Sequence, residues 1–329
     1  MAPVSAGLPE AAGLDLGFDV ERLVGELEGL SRIRWGLQNT YSADGALSPA
    51  AIDWRVLPLR NIGGDPYRTD AGGPGLLGHA PTPWLRQAPY FARVLDAIPA
   101  QLRSARLMAL GPYALGGEHL DTKYGLAWGT ARLHVPVTTT PQARLYIDGH
   151  EHHWQPGELW FGDFSRLHRV ENPGPGRRVH LVIDAMPSRE LLELFPERMR
   201  EQLDPARIVF AREPYPLGAR EARRCLIRFE LPQSFADWEE PEGAFRWPQP
   251  RRAARIAADR AYPGGLVLFL DGQPTFRLVH LGDREFRFAG WTEERTVQIA
   301  DAGRGRARVL LRTRAADREH RAELPAERL

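Results

Sequence analysis

Two residue types are nearly missing from this chain. Its 329 residues include one cysteine, Cys225, and its 43 basic residues include one lysine, Lys123, the other 42 being arginine. A single cysteine excludes an internal disulfide and a zinc site built on thiolates, and it fits a reducing compartment. A cytoplasmic location is therefore expected. Charge of one sign is lacking too: the formal net charge is +1, so no bulk field for nucleic acid or a membrane surface is present. No apolar run reaches transmembrane length. The first residues, MAPVSAGLPEAAG, have neither a basic nor an apolar signal region, so no signal peptide is expected. The scarcity of lysine goes with heavy use of Ala, Gly, Arg and Pro, which is as consistent with genome base composition as with function.

What is present suits a globular chain. Hydrophobic residues make up 43% and charged residues 26%. The length allows one large domain or two. Residues 1–14 are small and polar and are expected to be disordered. Asp19 is placed to cap a helix carrying Leu23, Val24, Leu27 and Leu30. A second amphipathic helix carries Tyr90, Phe91, Val94, Leu95 and Ile98 and ends at Pro99. Residues 61–78 read as a surface loop.

From Ala105 the period changes to that of strands. In GTARLHVPV (129–137), Leu133, Val135 and Val137 face one way and Arg132, His134 and Pro136 the other. Asp148-Gly149 and Pro156-Gly157 are turn signals, and RVHLVID (178–184) closes the series. Many short strands with flanking helices imply a mainly β fold, a double-stranded β-helix of the jelly-roll, cupin-like type, over residues 15–205. Ser188 is expected to cap a helix that Pro196 interrupts. Residues 218–329 are expected to form a small α+β domain, with strands near 225–231, 266–270, 275–280 and 308–314 and a basic helix over 251–260.

The chemistry-bearing residues lie in the first region. His119 and Asp121 are spaced i, i+2, which on an extended strand puts both on one face. With His168 they form a two-histidine, one-carboxylate set, the ligand type of non-heme Fe(II) oxygenases, with positions left open for co-substrate and O2. Arg178, ten residues after His168, is suited to grip a carboxylate. Arg132 and His134 share one strand face between the two halves of the set. Each has a plainer reading as well, Arg132 in a structural ion pair and His134 as a satisfied strand histidine. Lys123 continues the i, i+2 series. It faces the cavity if the strand persists and solvent if a loop begins at Thr122. Trp128, Trp154 and Trp160 read as core or pocket wall. His150, His152 and His153 read as surface residues beside a turn, Asp163 as a turn residue and Asp184 as a structural partner.

The segments SARLMALGPYALGGEHLD, ARLHVPVTTTP, PGELWFGDFSRLHRVEN and RRVHLVID together resemble the aspartyl/asparaginyl β-hydroxylase family of Fe(II)/2-oxoglutarate dioxygenases and its bacterial amino-acid relatives such as L-proline cis-4-hydroxylase. The resemblance covers about eighty residues, 104–184. It implies His119, Asp121 and His168 as iron ligands, Arg178 as the partner of the distal 2-oxoglutarate carboxylate, and Arg132 and His134 as contacts to co-substrate or substrate. Animal members lack the carboxylate ligand that Asp121 supplies here. The implied activity is hydroxylation of an unactivated carbon with Fe(II), 2-oxoglutarate and O2. The expected substrate is an amino-acid side chain, aspartyl at Cβ or similar, in a peptide or peptide natural-product precursor, with a precursor or carrier docking on residues 218–329. A free, proline-like amino acid is the alternative. A metal-dependent isomerase and a non-catalytic cupin-like binding module are the remaining readings, and intact His119, Asp121, His168 and Arg178 argue against the last.

Overall fold

In the computed structural model, which describes residues 4–41, 47–240, 243–258, 261, 265–303 and 306–329, the chain divides into two units. The first comprises Met1–Gly72 and His79–Pro205. Its elements run β1 (Ala11–Gly17), α1 (Val20–Leu30), β2 (Gly36–Leu37), β3 (Asn39–Tyr41), β4 (Leu47–Pro49), β5 (Trp54–Ile62), β6 (His79–Pro81), α2 (Pro89–Asp96), β7 (Gln101–Leu110), β8 (Ala114–Leu115), β9 (Ala131–Thr138), β10 (Arg144–Ile147), β11 (His150–His152), β12 (Glu158–Gly162), β13 (His168–Asn172), β14 (Arg178–Met186), α3 (Arg189–Leu192) and α4 (Glu197–Arg200). Asp19 caps α1 by accepting from the Arg22 amide, and Ser188 caps α3.

Two sheets form the jelly roll. The larger has the order β1-β12-β9-β14-β7-β5-β2, with β6 on β5, and the smaller β11-β10-β13-β8. Between them, Leu110 and Trp54 of the large sheet meet Leu145, Ile147 and Val170 of the small one, with Trp154 and Phe164. The opposite face of the large sheet, carrying Leu57, Leu107, Leu133 and Leu181, is buried, and α1 packs against β9 there. Strands covered on both faces are ordinarily apolar throughout. Here β9 and β14 carry Arg132, His134, Arg178, His180 and Asp184, all buried, on the face turned toward the small sheet. That breach of the pattern marks the site.

The N-terminal expectation needs correction. Of residues 1–14, expected to be disordered, the last four open β1 (Ala11–Gly17) at the sheet edge, paired with β12. Ala12 and Leu14 bury one side, and Gly13 lies against the Trp160 indole, where an added Cβ would already touch the ring at 3.4 Å. Asp148 and Gly149 both take positive φ (49° and 84°), the two-residue turn that joins β10 to β11.

The second unit comprises Gly73–Gly78 and Ala206–Leu329. After α5 (Ala219–Arg224) come β15 (Ile227–Pro232), β16 (Arg251–Ala258), β17 (Leu266–Leu270), β18 (Gln273–His280), β19 (Glu285–Phe288), β20 (Arg295–Asp301), β21 (Arg306–Ala315) and β22 (Arg318–Arg328). These eight strands close into an antiparallel barrel. The expected α+β mixture is corrected to a β-barrel in which α5 is the one α-helix among the described residues. The expected basic helix is strand β16, whose described residues include buried Ala254 and Ile256 alternating with exposed Arg251 and Arg255. Ile227, Phe229, Leu268, Phe288, Val309 and Leu311 belong to its apolar core. The segment Gly73–Gly78 lies along β18, with the Arg277 amide donating to the Gly75 carbonyl at 3.0 Å.

Candidate metal and co-substrate site

His119 and His168 are tied to each other through their backbones. Each amide donates to the other's carbonyl at 3.0 Å, which forms a single bridge rather than a strand. The chain stays extended to Asp121, whose amide donates to the Phe164 carbonyl at 2.9 Å. Ligand atoms of His119, Asp121 and His168 all lie within 4.8 Å of one another, so one metal ion can be held by the three. The imidazoles are set for that task. Nδ1 of His119 faces the Gly117 carbonyl and Nδ1 of His168 the Arg166 carbonyl, both at 2.9 Å. An Nδ1–H donated to a carbonyl leaves the Nε2 lone pair for a metal. Burial, the largest influence, lowers the His168 pKa and favours the neutral ring a metal needs.

Asp121 divides its two oxygens. Oδ1 lies 3.8 Å from His119 Nε2, while Oδ2 accepts from Arg132. Burial alone raises its pKa, but Arg132 first, then His168 and His119, hold it below the usual carboxylate value. Arg132 is itself gripped by Asp184, Nε to Oδ1 at 2.7 Å and Nη2 to Oδ2 at 3.3 Å. All three guanidinium nitrogens are thus engaged with two carboxylates, and the plate also lies over the Tyr124 ring. The arrangement orients Asp121 toward the histidines.

Asp184 anchors this network. It also accepts from Ser104 at 2.6 Å and from Arg106 at 3.4 Å, and those arginines hold it well below the usual range against the burial that raises it. Asp184→Asn would leave two buried arginines short of one negative charge. Breaking such a pair costs about 3–5 kcal/mol. A folded pKa that is depressed contributes stability above the unfolded value of about 4 and loses it as pH falls. We expect calorimetry to show a melting temperature lower by roughly 10 °C at pH 7, at about 2–4 °C per kcal/mol, and a difference that narrows below about pH 4. An unchanged melting temperature would refute the anchoring role.

The ten-residue spacing from His168 to Arg178 has a physical origin. β13 belongs to the small sheet and β14 to the large one. Asn172 pins the turn between them by donating to the carbonyls of Gly176 (2.7 Å), Gly111 (2.9 Å) and Leu110 (3.2 Å). Arg178 is 8% exposed and makes no ion pair among the described residues. Burial lowers its pKa to about 9. A buried cation without a counter-ion awaits an anion, and a small cavity lined by Thr139, Leu145, His152, Trp154, Arg178 and His180 adjoins it. Both the metal and a co-substrate carboxylate therefore suit the residues present.

His134 lies on the same sheet face, stacked on Phe164 at a centroid distance of 5.0 Å. Its Nδ1 faces His180 Nδ1 at 3.2 Å. Lys123 meets neither sequence expectation in full. A turn does begin at Thr122, with Lys123 at φ 64°, yet the side chain is 5% exposed. His150 contacts Glu10 at 2.8 Å, whereas His152 and His153 line the cavity with Arg178. His180 was not singled out in the sequence, although its place two residues after Arg178 on a strand puts both on one face.

No curated protein matches the chain. Partial structural likeness is found to a 2OG-Fe(II) oxygenase family oxidoreductase from Burkholderia pseudomallei (12% identity, TM-score 0.35, 51% of this chain and 79% of that one). It is found also to a Trichoplax adhaerens prolyl hydroxylase solved with a hypoxia inducible factor peptide fragment (11%, 0.37, 61% and 90%) and to a Pseudomonas putida prolyl-4-hydroxylase (12%, 0.32, 56% and 96%). The profile of aspartyl/asparaginyl β-hydroxylases matches residues 19–187, just over half of the 329. The chain belongs to the aspartyl/asparaginyl β-hydroxylase family and is a hydroxylase that uses Fe(II), 2-oxoglutarate and O2.

Proposed function

We propose that His119, Asp121 and His168 ligate the iron, that Arg178 pairs with the distal carboxylate of 2-oxoglutarate, and that the substrate is an amino-acid side chain within a peptide, aspartyl at Cβ or a close analogue. The observation that carries the site assignment is the buried Arg178, which makes no ion pair among the described residues, in the same fold as the His-Asp-His set. When bound, iron with 2-oxoglutarate and O2 supplies an oxidant strong enough to hydroxylate an unactivated C–H, with succinate and CO2 as co-products. The chain's own part is positioning. Arg132 holds the Asp121 carboxylate, the Arg166 and Gly117 carbonyls hold the imidazoles, and Phe164, Trp154 and Leu145 keep the co-substrate side dry. Lys123, buried in a strained turn just after Asp121, is assigned to a substrate carboxylate, and His134 to the co-substrate wall.

An exposed apolar rim supports a substrate larger than a free amino acid. Leu120 sits between two of the ligands, Leu167 beside the third, and Tyr113 and Leu115 on the small sheet's edge; all four are exposed. A peptide precursor or carrier docking on residues 218–329 belongs to the same proposal, since the filled barrel offers surface rather than a cavity. Asp121 as third ligand favours the second reading, a free proline-like amino acid. No helix among the described residues is long and apolar enough to cross a membrane. The single cysteine, which fits a reducing compartment, is the ground on which we place the reaction in the cytoplasm. The test is incubation of the Fe(II)-loaded protein and 2-oxoglutarate with Asp/Asn-containing peptides and with free amino acids. Gain of one oxygen on a peptide is the expected result, and gain confined to a free amino acid would replace the first reading with the second.

A further inference from the structure

His180 stands next to the proposed co-substrate grip and has no place in the chemistry so far. It shares the inward face of β14 with Arg178 at i, i+2, it is 2% exposed, and its Nδ1 lies 3.1 Å from an Arg178 Nη2. A guanidinium has donors only, so His180 Nδ1 must accept. The proton of the neutral ring then sits on Nε2. Burial first and Arg178 second push the His180 pKa well below its usual value, so the ring stays neutral. A second ring adjoins the same atom: His134 Nδ1 lies 3.2 Å from His180 Nδ1, whose single lone pair Arg178 already engages, so His134 buttresses the His180 ring by contact. Burial and Arg178 likewise keep His134 neutral. Both Nε2 atoms are buried without a hydrogen-bond partner among the described residues.

We propose that His180 is a positioning residue for 2-oxoglutarate, its Nδ1 lone pair fixing the Arg178 guanidinium so that the fork faces the cavity. This rests on the assignment of Arg178 made above. The Arg178 side chain has four rotatable bonds and no carboxylate partner among the described residues, and the hydrogen bond to His180 is what selects one orientation before the ligand arrives. His134 in turn orients His180, with Phe164 and Trp154 packed on its ring.

The test is calorimetric binding to the Fe(II)-loaded full chain under anaerobic conditions, with 2-oxoglutarate and with 2-oxobutyrate, which lacks the distal carboxylate. His180→Leu should weaken 2-oxoglutarate about tenfold, as loss of one hydrogen bond to a charged group requires, and should leave 2-oxobutyrate within about twofold. His180→Asn, whose Oδ1 can accept near the same point, should recover all but about threefold of the loss. Combined with Arg178→Lys, His180→Leu should add little, because both act on one contact. Unchanged 2-oxoglutarate affinity in His180→Leu, equal losses for both ligands, or additive losses with Arg178→Lys would overturn the proposal. If the unsubstituted chain itself fails to bind 2-oxoglutarate, the Arg178 assignment falls and this proposal with it.

Discussion

Replacing His168 by alanine is expected to weaken Fe(II) binding by more than about 100-fold, beyond what loss of an outer hydrogen-bond partner of a ligand does, and to abolish substrate-dependent succinate release. The reason lies in the donor count. Three protein atoms hold the ion, and the removal of one leaves His119 and Asp121, of which His119 is already about two-fifths exposed at its side chain. The bridge between His119 and His168 is made by backbone atoms, so alanine keeps the extended chain in place. The loss is therefore one of ligation rather than of folding, and circular dichroism should be unchanged. His150→Ala is the matched control. That ring is 71% exposed and contacts Glu10, and its loss should leave iron affinity as it was. Equal iron affinity in His168→Ala and the parent would remove His168 from the site.

The second large effect is expected at Arg178. Arg178→Lys should raise the dissociation constant of 2-oxoglutarate about 10–100-fold, because an ammonium is a point charge and cannot reproduce the two-pronged contact of a guanidinium. Arg178→Met makes a sharper test. Without ligand, the guanidinium is a buried cation whose hydrogen-bond partner among the described residues is an imidazole nitrogen. Replacing even a buried ion pair by apolar side chains of similar volume is often neutral or stabilising by about 1–4 kcal/mol, and a buried charge without a counter-ion has less to lose. Arg178→Met should therefore melt at or above the parent temperature without 2-oxoglutarate and fail to gain stability when it is added. The parent should gain about 2.7 kcal/mol at a ligand concentration 100 times its dissociation constant. A variant that melts well below the unliganded parent would show that Arg178 holds the fold instead of the ligand.

These effects trace to features of unequal legibility in the sequence. The His168–Arg178 spacing could be read directly, because a short strand, a Gly/Pro turn and a second strand are all local signals. So could the two faces of β9, whose alternation is unbroken from Arg132 to Val137. The partner of Arg132 could not be read, since Asp184 lies 52 residues away and only sheet pairing brings them together. β1 was hidden because Ala and Gly carry little strand preference, and its pairing with β12 spans the whole domain. β16 was misread for the opposite reason: Ala and Arg favour helix locally, and the barrel's hydrogen-bond ladders override that preference. His180 is visible at i, i+2 from Arg178, but only its contact with the guanidinium separates it from a satisfied core histidine.

One site has to hold both iron and 2-oxoglutarate for His119, Asp121, His168 and Arg178 to act together. Anaerobic addition of Fe(II) and then 2-oxoglutarate to the full chain, followed by visible absorption, tests this most directly. A weak charge-transfer band that saturates at one equivalent of each, and that is absent from His168→Ala, is the expected result. A metal-loaded protein that develops no band on saturation with 2-oxoglutarate would contradict the central claim.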